Sequence, residues 1–110
     1  MSDVDKLRRL ANLVQELIEK ADEKVGPSPY SHGGNKAESW SDWHNRRSTE
    51  YAAIGKRLEE QEGARIARTV HFVRVQMGGF KASSTSSLHG ALTNWIAGAQ
   101  RRIAEAAASA

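Results

Sequence analysis

The chain contains no cysteine, which excludes disulfides and cysteine-ligated zinc and removes any need for an oxidising compartment. No apolar run approaches the length of a membrane span, and the opening residues MSDVDKLRRL form no signal core. A cytoplasmic protein without membrane contact is the expectation. Catalytic signatures are missing as well. There is no G-x-S-x-G elbow, and His32, His44, His71 and His89 show neither H-x-x-x-H nor H-E-x-x-H spacing. Neither a Walker loop nor G-x-G-x-x-G occurs. The reading is therefore a protein that is not an enzyme, with no cofactor and no metal site. Internal repeats are also absent, and the only two prolines both fall in GPSPYSHGGNK, residues 26–36.

Acidic residues are scarce in the second half. The net charge is +3, yet residues 64–110 carry Arg65, Arg68, Arg74, Lys81, Arg101 and Arg102 against the single acid Glu105. Such a field favours anionic partners. At 110 residues the chain is expected to form a single domain, 1–110. A chain of this size buries roughly 60–70% of its unfolded surface, enough for a modest core.

What is present reads mainly as helix. Val4, Leu7, Leu10, Ala11, Val14, Leu17, Ile18, Ala21 and Val25 recur at three- and four-residue spacing and predict an amphipathic helix over about 3–25. Ser2 is its expected cap, with Asp5–Arg9 and Glu16–Lys20 as pairs one turn apart. Leu13 lies off the stripe and suggests a second contact surface. After a loop over 26–38, a second helix is expected over about 39–62, with Gly63 as its stop and Trp40, Trp43, Tyr51, Ile54 and Leu58 as its apolar face. A third, over about 87–107, is marked by Leu88, Leu92, Trp95, Ile96, Ala99, Ile103 and Ala106, with Ser86 or Ser87 as cap.

The segment 64–77 supports two readings. Ile66, Val70, Val73 and Met77 have helical spacing, whereas TVHFVRV is rich in the β-branched and aromatic residues of a strand. As a strand it would turn at Gly78-Gly79 and return through FKASS. The helix is preferred, because a lone two-stranded hairpin is marginally stable, and 78–86 is then a Gly/Ser loop. The expected fold is a small helical bundle of three long amphipathic helices plus this helix-or-strand segment.

Two clusters are candidates for binding. In GGFKASSTSSLHG, residues 78–90, glycines, hydroxyls and a lysine precede a helix start, whose free N–H groups and positive dipole end favour anions. Lys81, Ser83, Ser84 and Thr85 are the expected phosphate ligands, with Arg74 adding attraction. The second cluster is the face of the second helix that carries Trp40, Trp43, His44 and Arg47. Flat rings beside a guanidinium suit a base and its phosphate. The plainer alternatives are a polar linker for the first cluster and an arginine paired with Glu50 for the second.

The expected function is non-catalytic binding of a phosphate-bearing ligand, nucleic acid or nucleotide, through the helix start and the Trp/Arg face. The alternative is a helical protein–protein interaction module, an adaptor or stoichiometric inhibitor, and self-association into a homo-oligomer is compatible with either.

Overall fold

The computed structural model describes residues 3–109. Among them three helices and one antiparallel sheet follow in the order α1 (Asp3–Val25), α2 (Trp40–Glu62), β1 (Arg65–Arg68), β2 (Val73–Met77), β3 (Phe80–Ser84) and α3 (Leu88–Ser109). The chain is mainly α, but it is not a bundle of helices alone. β1 and β2 occupy the segment for which a helix was preferred, and β3 occupies most of the expected loop 78–86.

The strands prevail for reasons that become visible only in three dimensions. The objection to a hairpin was its lack of a third strand, and Arg65–Arg68 supplies one, in the order β1-β2-β3. Gly78 and Gly79 have φ of 63° and 90° and join the paired residues Met77 and Phe80 in a two-residue turn. That turn requires the positive φ that glycine adopts without steric penalty. At the other end Thr69 organises the β1–β2 connection: its Oγ1 accepts from the N–H groups of His71 and Phe72, each at 3.1 Å. Val70, part of the apparent helical stripe, sits at this turn and is 95% exposed.

Side-chain alternation then divides the sheet into two faces. Val75, Met77 and Phe80 are buried, with Ile66 and Ala82 packed against the same cluster, while Arg65, Gln76, Lys81 and Ser83 are exposed. The inner face is covered by α3, which lies along β2 and β3 and also against α1, and α1 in turn meets α2. Leu10, Val14, Leu58, Val75, Leu92 and Trp95 are fully buried at the junction of these layers. The Trp95 ring stacks on Phe80 at 5.1 Å, and its Nε1–H donates to the Met77 carbonyl at 3.0 Å. One side chain thus fastens α3 to the hairpin turn.

The helix boundaries follow their caps. Ser39 accepts from the Asp42 N–H at the start of α2, and Gly63 closes it in the left-handed conformation. The expected cap Ser2 lies outside the described residues. The Glu16–Lys20 pair forms at 2.9 Å, but Arg9 pairs with Glu62 at 2.7 Å, tying α1 to the end of α2 rather than to Asp5. Leu13 is half-buried and packs on the core cluster, so it does not form a separate surface.

Candidate functional site

The N-terminal half of α2 reaches beyond the core. Its buried residues are Tyr51, Ile54, Gly55 and Leu58, whereas Trp40 is 46% exposed and Trp43 is half-buried. Trp43 is anchored by its Nε1–H, which donates to the Gly26 carbonyl at 3.1 Å just past α1. This half of α2 carries the expected Trp/Arg face. Trp40 and His44 stack at 4.8 Å, and the Arg47 guanidinium lies 5.6 Å from the Trp43 ring and 5.3 Å from the Tyr51 ring. The pairing of Arg47 with Glu50 does not occur, because Glu50 pairs with Lys24 at 3.0 Å.

Facing this surface is the start of α3. Gly55 allows the approach: a Cβ there would lie 3.0 Å from Ile66 Cδ1 and 3.1 Å from Leu88 Cδ2. Between the two helices and the end of β1 lies a cleft of about 320 Å³ lined by His44, Arg47, Ser48, Tyr51, Ala52, Arg68, Ser87, Leu88 and His89. The spacing of 44, 47, 48, 51 and 52 is that of one helical face. Its volume lies at the lower end of small-ligand sites.

The electrostatics of this cleft are one-sided. Arg47 and Arg68 line it and no carboxylate does. Neither arginine is paired with a carboxylate among the described residues. Ser87 caps α3 by accepting from the Gly90 N–H at 3.1 Å. The preceding N–H groups, of Leu88 and His89, have no acceptor within the helix. The first turn of α3 carries no acid to offset the dipole. Asp22 on α1 lies behind Tyr51, whose hydroxyl donates to it. Burial, the bond to Asp22 and its charge push the Tyr51 phenol up to about 12, against the opposing Arg47. Burial and then the charge of Arg47 hold His89 below the ordinary imidazole value, with Asp22 opposing. The cleft therefore sets two permanent cations beside a phenol held above its ordinary value and the His89 imidazole held below its own.

A larger cleft, about 460 Å³, runs between the end of α1 and the start of α2. Both of its cations are already paired: Lys24 pairs with Glu50, and Arg46 forms a two-pronged contact with Glu38 at 2.7 and 2.8 Å, while Asp42 adds a further acid to the lining. It offers little net charge to a ligand.

The two clusters expected from the sequence do not converge. His44 and Arg47 reach the cleft, with Trp40 stacked on His44 and the Trp43 ring 5.6 Å from the Arg47 guanidinium. Arg74, Lys81 and Ser83 do not gather at the start of α3, because residues 80–84 form a strand and its side chains alternate. Those three stand on the outer face of the sheet, with Arg74 opposite Ser83 and Lys81 opposite Gln76. Ser84 lies on the inner side, where its hydroxyl is 3.0 Å from that of Ser86, and Thr85 is exposed in the bend before α3. Arg68, Ser48 and His89 were missed as cleft residues. His89 had a local signal, as the second residue of α3 and two after its Ser87 cap, but Arg68 enters only because β1 ends there. No protein family, curated protein or solved structure matches the chain, so the reading of this cleft rests on its own residues.

Proposed function

We propose that the chain binds, without transforming it, a phosphate-bearing ligand of nucleotide size in the cleft between α2 and α3. The observation that carries this reading is the pair of arginines, Arg47 and Arg68, facing an acid-free helix start across a cleft lined by no carboxylate. A phosphate there accepts from the guanidinium groups, whose fork geometry matches its oxygens, and from the free N–H groups of α3. The Ser48 and Ser87 hydroxyls lie within the same lining, and the stacked Trp40–His44 pair offers a flat surface at the rim for a ring. Leu88 and Ala52 provide the apolar wall that a base or sugar needs.

The test is a thermal-shift titration with inorganic phosphate and with mono- and triphosphate nucleotides. A ligand at one hundred times its Kd adds about 2.7 kcal/mol, a shift of roughly 10 °C for a domain of this size. Arg47→Gln and Arg68→Gln should each weaken binding about 10- to 100-fold, the loss of a charge-assisted hydrogen bond. Absence of a shift with every phosphate compound would remove the reading and leave the protein-partner alternative.

A further inference from the structure

Residues 63–104 contain no aspartate or glutamate, and three of their cations stand together on the face of the sheet turned away from the cleft and the core. The register fixes their arrangement. Arg65, Gln76 and Lys81 form one row across the three strands, and Ala67, Arg74 and Ser83 form the next. Strands are spaced about 4.8 Å apart, so Arg65 and Lys81 emerge about 10 Å from one another, with Arg74 about 7 Å further along the middle strand. None of the three pairs with a carboxylate among the described residues. Phe72 is two residues before Arg74 and shares its side of the strand, and the Arg74 guanidinium lies 5.4 Å from the Phe72 ring centre. The neighbours of Arg74 across the sheet, Ala67 and Ser83, are small, so the stacked pair stands above a low floor.

We propose that this outer sheet face binds single-stranded nucleic acid. The proposal uses none of the cleft residues and does not depend on the nucleotide reading. Charge complementarity identifies the occupant: a triangle of unpaired cations on a rigid, flat face fits a polyanionic backbone laid across the strands. Gln76 and Ser83 supply neutral donors between the charges. The Phe72–Arg74 pair gives an unstacked base an aromatic and guanidinium surface, which a duplex, with its bases already stacked, cannot use. The face spans only four- and five-residue strands, so the footprint is a few nucleotides.

The experiment is fluorescence anisotropy of labelled oligo(dT) and oligo(U) twelve-mers titrated with the whole chain between 50 and 200 mM NaCl. Three neutralised phosphates predict a slope of log K against log salt of about −2, hence a loss of roughly 15- to 20-fold across that range. Arg65→Gln with Lys81→Gln alters only exposed side chains and should reduce the slope to about −0.7, and adding Arg74→Gln should abolish binding. Lys56→Gln, at an exposed cation of α2 that lines neither the cleft nor the sheet face, should leave oligomer binding unchanged. The thermal midpoint of each variant, measured alongside, confirms folding. Equal affinity of the Arg65/Lys81 double variant and the parent would overturn the proposal. So would capture of the parent by vesicles containing 30% phosphatidylserine without any binding of oligomer, which would make the face a lipid-surface contact.

Discussion

The Tyr51 hydroxyl on α2 donates a hydrogen bond to the Asp22 carboxylate on α1, while the Tyr51 ring lies 4.9 Å from the His89 imidazole at the start of α3. A single phenol therefore links three helices, and it forms the back wall of the α2–α3 cleft. Asp22 is exposed and regains water when its partner is lost, so Tyr51→Phe should cost only about 1 kcal/mol.

Burial of the phenol, and after it this bond, has a consequence at alkaline pH. The folded chain holds the Tyr51 phenol up to about 12, above its ordinary value of 10.0. The folded state thus retains a proton that the unfolded state releases. Stability from this group is complete below pH 10 and declines as pH rises toward 12. Absorbance titration of phenolate in a Tyr30→Phe variant isolates Tyr51, since the chain has only these two tyrosines. Ionisation of Tyr51 at the ordinary value, with the protein still folded, would contradict its burial against Asp22.

His89 should respond at the acidic end. Its value lies below 6.5 because burial, and then Arg47, disfavour the imidazolium. The unfolded chain binds the proton more readily, so this group contributes stability above pH 6.5 that is lost as pH falls through the lower folded value. Arg47→Gln removes the second cause and should move the His89 titration upward without restoring it fully, because burial remains the larger one. Proton NMR of the imidazole, assigned with a His89→Gln variant, reads this directly. An unchanged titration in Arg47→Gln would mean that the guanidinium does not act on the cleft.

Much of the helical frame was legible because its signals are local. The stripe of α1, the Ser39 cap and the Gly63 stop each lie within a few residues of what they determine. The face containing Trp40, Trp43, His44 and Arg47 followed from helical spacing alone. The sheet was harder to read, since Ile66, Val70, Val73 and Met77 imitate a helical stripe and the decisive third strand is only four residues long. Glu50 shows the same limit for charge: a plausible partner three residues from Arg47 is claimed instead by Lys24, twenty-six residues earlier in the chain. Arg68 joins the cleft through strand pairing and close helix packing, neither of which leaves a mark in local spacing.

That close packing is itself open to test at Gly55. A Cβ would meet Ile66 Cδ1 at 3.0 Å and Leu88 Cδ2 at 3.1 Å, both ends of side chains that can yield by a few tenths of an ångström. Gly55→Ala adds this crowding but gains about 1 kcal/mol of helix propensity, so its stability should stay within about 1 kcal/mol of the parent. Gly55→Val places two further methyl groups against β1 and α3 and is stiff in a helix. It should lose about 1–3 kcal/mol by urea unfolding. It should also speed amide exchange at Gly90 and Ala91, whose N–H groups are held by Ser87, because the start of α3 is pushed away from α2. If valine were tolerated as well as alanine, α2 and α3 would not be in the contact that shapes the cleft.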